Sequence, residues 1–336
     1  MKCLFLSVHS VLEFQELRIL TELDSFYPEK PLNIEVFSVN GAYMNPLQMG
    51  DNLRSIIPKG RFYQDLYSLA MQCDKDDLHP NLVAWADVII MHHNGVLPQQ
   101  KEQQRWLERN WPLFEKMKKK VCWRSIGQST PQIEEVLGRY RQKGMNIIRM
   151  SPLERQIPHY AGEDAMIRFS EDVDEFNGWN GEKKRVITVA QSFMKRGEHL
   201  GYHLFEKITN GFNRKVYGTE NADLGELWGG VPSYENLKKE LRDTRVFLYF
   251  GTKPVPYTLS LLEAMLIGIP IVAVGSKLRG DNESPYNWPN YEIPQIITNG
   301  INGYISNDIQ ELRGYIQLLL ENDEVAKRIS AAGRKT

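Results

Sequence analysis

The chain has little of what would mark it for nucleic acid, a membrane or an oxidising compartment. Its 41 lysines and arginines are offset by 42 aspartates and glutamates, so the net charge is −1 and the basic excess of a general nucleic-acid binder is missing. There are only three cysteines, Cys3, Cys73 and Cys122, and they have no metal-ligand spacing. Cys3 and Cys122 sit in apolar runs, where buried free thiols of a reducing compartment belong. No apolar run approaches the roughly 18 residues of a spanning helix. The apolar stretch at residues 1–7 is too short for a signal peptide, and the expected location is the cytoplasm. The first loop, His9-Ser10-Val11-Leu12-Glu13, lacks glycine, which argues against a dinucleotide at the first turn. Glu13 there reads as first-turn helix charge.

What is present is a regular alternation of short apolar runs with amphipathic segments. Residues 3–8, 33–39, 88–91, 120–123 and 146–149 read as strands, and 12–23, 98–119 and 131–142 as helices. The polar, acidic, turn-rich stretch 169–184 reads as a linker. A second series follows, with strands at 186–190, 215–218, 246–250 and 269–274 and helices at 197–209, 233–243, 259–267, 308–320 and 323–332. The expectation is an α/β chain of two Rossmann-like, doubly wound parallel-sheet domains, 1–168 and 185–336, facing a cleft. The helix 98–119 ends in Lys118-Lys119-Lys120, a pattern that serves peripheral docking on the inner face of an anionic membrane. Glu102, Glu108 and Glu115 dilute that charge, so a packed helix with a basic end is the better reading. Asp74-Lys75-Asp76 and Asp172-Val173-Asp174 match a metal-binding Asp-x-Asp pattern, but neither directly ends an apolar strand.

The chemistry concentrates at Tyr249-Phe250-Gly251-Thr252-Lys253-Pro254-Val255-Pro256-Tyr257-Thr258-Leu259-Ser260-Leu261-Leu262-Glu263. A strand ends, a loop rich in glycine and proline follows, and a helix starts near Thr258. Free amides and the helix dipole at such a start bind phosphate. Glu263, about one turn in, is suited to accept from a ribose diol.

The run Leu261-Leu262-Glu263-Ala264-Met265-Leu266-Ile267-Gly268-Ile269-Pro270 resembles the signature of retaining family 4 glycosyltransferases of the GT-B fold. The likeness continues at 296–304 and 186–197, and covers about 185–335 well. It implies a cytoplasmic hexosyltransferase of polysaccharide biosynthesis that uses a nucleotide-diphosphate sugar, with a UDP sugar favoured. The acceptor is a glycan or a lipid-linked glycan, and neither metal nor other cofactor is required. The implied donor-binding residues are Gln191, Lys195, Arg196, Gly218, Tyr257, Thr258, Leu259, Ser260 and Glu263. Lys195 and Arg196 neutralise the leaving diphosphate in the manner of an oxyanion site. On the acceptor half, strand 88–91 runs into His92-His93-Asn94-Gly95 and strand 121–125 into Ile126-Gly127-Gln128-Ser129. His92 or His93 is the implied catalytic-side sugar contact, with Asn94 and Gln128 beside it. Two positions depart from the family: Gln191 stands where an arginine is usual, and Val255 where a glutamate holds the donor sugar. They motivate a second reading, a relative that binds nucleotide sugars without transferring them. The additional carboxylates of an epimerase and the cofactor lysine of a phosphorylase are not visible.

Overall fold

The computed structural model describes residues 1–6, 16, 19–20, 23, 28–38, 64–73, 77–92, 105–281 and 287–336. The chain divides into two units, Met1–Arg168 and Phe169–Thr336. Each is a parallel sheet flanked by helices.

In the first unit the strands are β1 (Lys2–Leu6), β2 (Glu35–Ser38), β3 (Val88–His92), β4 (Lys120–Arg124), β5 (Asn146–Arg149) and β6 (Ala165–Met166). They lie in the order β2-β1-β3-β4-β5-β6. The helices are α1 (Gln64–Met71), α2 (Pro80–Trp85), α3 (Arg105–Lys116) and α4 (Pro131–Gln142). α4 shows how the sequence sets an element. Thr130 caps its start, Pro131 takes the first turn, and Ile133 and Leu137 are buried. The core joins Leu4, Ile89, Met91, Trp123 and Ile147 of the strands to Leu107, Trp111 and Phe114 of α3. Lys119, just after α3, donates to the carbonyls of Ala84 and Ala86. Of the expected helix 12–23, Glu16, Ile19, Leu20 and Leu23 are described, and all are helical.

The second unit holds β7 (Lys183–Val189), β8 (Arg214–Tyr217), β9 (Thr244–Tyr249), β10 (Ile271–Val274) and β11 (Tyr304–Ser306) in the order β11-β10-β9-β7-β8. Its helices are α5 (Gly197–Leu200), α6 (Tyr202–Thr209), α7 (Tyr234–Asp243), α8 (Leu259–Ile267), α9 (Ser276–Arg279), α10 (Ile293–Ile296), α11 (Ile309–Glu321) and α12 (Asp323–Gly333). β9 and β10 are buried throughout, which is why they read as continuous apolar runs. The expected single helix 197–209 is broken at Gly201, whose φ is +78°. A Cβ there would stand 2.7 Å from the Phe250 ring, so the break lets the helix pair pass close to β9.

Residues 169–184 are not a free connection. Phe176 is buried and packs edge-on against Tyr234, at 6.0 Å between centroids. Trp179 donates to the Thr244 carbonyl at 2.7 Å. The polar composition misleads because two aromatic side chains anchor an otherwise hydrophilic segment. Asp172, of one Asp-x-Asp triplet, accepts from the Asp174 amide in a local turn. The other triplet lies outside the described residues. The cysteines are free, and burial pushes the Cys3 thiol up to about 11. Among the described residues no helix is long and apolar enough to cross a membrane.

Candidate functional site

In the second sheet the chain passes from β7 to β8 on one side, then crosses to β9 on the other. The topological switch point therefore lies between the carboxyl ends of β7 and β9, where open α/β sheets bind ligands. Residues 190–197 and 250–258 flank it. The Lys253 amide donates to the His199 carbonyl at 3.2 Å, which ties the second loop to the segment that continues from the first.

The loop after β7 is fixed by the loop after β8. The Ser192 amide donates to the Thr219 carbonyl at 3.0 Å. Asn221 accepts from the Phe193 amide at 2.7 Å and donates to the Ala190 carbonyl at 2.7 Å. Phe193 is buried against Phe205 and Phe250. Around this anchored backbone Gln191, Lys195 and Arg196 are exposed. Partial desolvation lowers the Arg196 pKa from its ordinary value. Among the described residues neither Lys195 nor Arg196 has a carboxylate within ion-pairing distance. Among the described residues the loop thus presents two exposed cations without a counter-charge.

Gly218 has a φ of +134°, and a Cβ there would collide with the Ala190 carbonyl oxygen. Its role is to let the ends of β7 and β8 approach, and a side-chain contact is excluded. Gly218→Ala is expected to cost ~1–3 kcal/mol from backbone strain alone, and more from the collision. Thermal unfolding checks this: an unchanged midpoint would refute the constraint.

The loop after β9 is packed from behind. Arg279, buried, donates to the Phe250 carbonyl, pairs with Asp281 at 3.0 Å and lies 3.8 Å over the Tyr291 ring. A Cβ on Gly251 would come within 2.6 Å of that guanidinium. Asn290 donates to the Pro254 carbonyl, and the Glu292 amide to the Pro256 carbonyl at 3.1 Å. Arg279 and Asn290 therefore support this loop from buried positions, and Trp288 and Tyr291 beside them are buried as well. Val255, at the family's sugar-binding glutamate position, is 5% exposed and contributes to the loop interior.

At the start of α8 the structure changes the expected donor set. Tyr257 is buried. The Thr258 amide is already used, donating to the Tyr249 hydroxyl at 3.0 Å. Thr258 caps the helix without a side-chain bond, and its hydroxyl lies 2.8 Å from that of Ser260. Among the described residues the amides of Leu259 and Ser260 have no partner, so these two, with both hydroxyls, are what the helix start offers an anion.

Glu263 is 7% exposed and faces α7. Burial, reinforced by Glu175, pushes its carboxyl up to about 7 against the opposing pull of Lys238 and a hydrogen bond from Tyr234. Lys238 is itself buried, 2.7 Å from Glu175 and 2.6 Å from Glu235. The fold favours the neutral acid. Its stabilising contribution is complete below 4.5 and is lost as pH rises through about 7. Glu263→Gln should therefore unfold near the wild-type temperature at pH 5 and above it at pH 8, by up to ~3 kcal/mol of stability at about 1.4 kcal/mol per pKa unit. An advantage that does not grow with pH would sink the assignment.

On the first unit the structure corrects one expectation. His92 ends β3 but is 1% exposed, with its ring edge-on to Phe5 at 4.8 Å. It lies on the sheet face of Phe5 and Ile90, so its ring packs into the core and is not open to solvent. His93 and Asn94 lie outside the described residues. Gln128 is half-buried in the loop after β4. Sequence reading missed the buried network beneath that loop. The Arg149 guanidinium is bidentate on Glu134 at 2.8 and 2.7 Å and stands 3.6 Å from Glu154. Ser125 donates to Glu154 and Ser129 to Glu134, which ties both ends of the loop to it. Also missed was Arg124, buried beside His92 in register and paired with Glu16 at 2.9 Å. Its only signal was an arginine at a strand's carboxyl end.

No protein-family model matches the sequence, and no curated protein is significantly similar to it. Solved structures do match. HepE of Anabaena in complex with UDP-glucose is 12% identical, with 100% of this chain and 94% of that one covered at a TM-score of 0.60. A glycosyltransferase of Rickettsia africae is 11% identical, with 99% and 92% covered at 0.59. The chain has the GT-B glycosyltransferase fold.

Proposed function

We propose that the chain transfers a hexosyl group from a nucleotide-diphosphate sugar, with a UDP sugar favoured, to a glycan or lipid-linked acceptor. The reading rests on one observation above the others: two cations without counter-charge and an open helix start flank one switch point. UDP-glucose and UDP with glucose, bound in the HepE structures of the same fold, favour the uridine nucleotide. In this mechanism the Leu259 and Ser260 amides and the Thr258 and Ser260 hydroxyls hold the diphosphate. Lys195 and Arg196 stabilise charge as the nucleotide leaves. Glu263 accepts from the ribose diol in its ionised form, which the fold favours only above about pH 7. The leaving phosphate takes the acceptor's proton on the face it departs from, so the configuration is retained without a side-chain base. No metal enters these steps.

Val255 favours a second reading, nucleotide-sugar binding without transfer, since an apolar loop interior replaces the usual sugar-holding carboxylate. A panel of UDP, GDP and ADP sugars separates the two. A ligand that binds only the native state stabilises it, by ~2.7 kcal/mol at a hundred times Kd, and so raises its melting temperature. The expected result is a shift with UDP sugars and slow nucleotide release that persists in EDTA. A shift without release for any donor and acceptor supports binding alone, and release that requires added metal overturns the mechanism.

A further inference from the structure

Gln191 leaves the family's diphosphate site short of one cation, and a different residue is placed to supply it. We infer that Lys253, in the loop after β9, is a further diphosphate-binding residue of this chain. The inference rests on the nucleotide-sugar reading above.

Three observations carry it. The Lys253 amide donates to the His199 carbonyl at 3.2 Å, which brings this lysine to the segment that starts with Lys195 and Arg196. The backbone that carries it is held in place: the next residue's carbonyl accepts from Asn290, and the Val255 amide donates to the Thr252 carbonyl at 2.8 Å. Finally, the Lys253 side chain is half-buried, and among the described residues no carboxylate pairs with it. Three other half-buried cations of this unit are ion-paired, Lys183 with Glu240, Arg185 with Glu240 and Arg214 with Glu206, and Lys215, Arg242 and Arg313 donate to backbone carbonyls. Lys253 shares its lack of a counter-charge with Lys195 and Arg196, and all three belong to the two loops that flank the switch point. A half-buried cation left without a partner loses solvation without compensation unless an anion arrives.

The chemistry is that of an ammonium point charge on a flexible stem. It neutralises a phosphate oxygen and needs no bidentate geometry. Lys253 sits two residues before Val255, on the loop that leads to the helix start. The loop thus loses a carboxylate and carries a cation close by.

Isothermal titration of the wild type and Lys253→Ala with UDP and UMP tests this, with Lys253→Arg as the conservative variant. The expected result is a loss of roughly ten-fold or more in UDP affinity for Lys253→Ala, the low end of what a hydrogen bond to a charged group contributes. The loss is smaller for UMP, Lys253→Arg largely restores UDP binding, and the apo melting temperature is unchanged. Equal UDP affinity in the wild type and Lys253→Ala overturns the inference and leaves the nucleotide reading intact. A wild type that binds neither nucleotide overturns both. A loss seen only with a UDP-uronate, with UDP itself unaffected, also overturns the diphosphate assignment by moving the lysine's contact to the sugar.

Discussion

Arg196→Ala is expected to slow release of nucleotide from a UDP sugar by ~10²–10³-fold, the usual cost of removing one pre-placed donor from a site where charge develops. The apo protein should melt at the wild-type temperature, because the guanidinium is exposed and carries no ion pair among the described residues. The loss should fall mainly on kcat, since the negative charge on the departing phosphate is largest in the transition state. Arg279 is the internal contrast. It lies in the same unit and supports the other loop that flanks the switch point, but it is buried, paired with Asp281 and stacked on Tyr291. Its removal would lower stability first and activity only through the loop it supports. An Arg196→Ala enzyme that turns over at the wild-type rate would remove this residue from the mechanism and leave Lys195 and the helix start to be tested in its place.

The sequence revealed the βαβ order because strands buried on both faces read as unbroken apolar runs, as 244–249 and 271–274 do. It revealed the helix start at Thr258 because a strand, a glycine- and proline-containing loop and a helix in succession have one common geometry. The failures share a physical cause. Residues 169–184 looked like a linker because polar residues outnumber the anchors, yet Phe176 and Trp179 tie them to the second unit. The Thr258 amide looked available because its partner, the Tyr249 hydroxyl, is nine residues away and across a loop. His92 looked exposed because strand ends meet solvent on average, and only the neighbouring Phe5 shows that this one turns inward. Glu263 was read as a ribose acceptor one turn into α8, and its enclosure depends on Tyr234, Lys238 and Glu175, none of them close in sequence. Each error concerns a contact between distant segments, which periodicity does not encode.

The largest stability effect is expected at Arg149. Replacing it with leucine should cost ~3–5 kcal/mol, because removing one partner of a buried ion pair leaves the other charge uncompensated. Here two carboxylates would be left, Glu134 and Glu154, both fully buried. Glu134 would retain the Ala161 amide and Ser129 hydroxyl as donors, and Glu154 the Met150 and Ser151 amides. These satisfy hydrogen bonding but do not neutralise two charges. Protonation would, and burial already raises the Glu154 carboxyl above its ordinary value, so the deficit relative to the wild type should shrink as pH falls. Urea unfolding of both proteins between pH 5 and pH 8 measures it. Replacing Arg149, Glu134 and Glu154 together by apolar residues of similar volume should recover much of the loss, since a buried charge network contributes little net stability once every member is gone. The same triple variant would release Ser125 and Ser129 from their carboxylates. If Gln128 contacts the acceptor, acceptor KM should then rise even where stability is restored, which separates holding the fold from holding the loop. A pH-independent deficit in Arg149→Leu would show that packing against Trp123 and Tyr160, at 5.3 and 4.6 Å from the guanidinium, is what this arginine contributes.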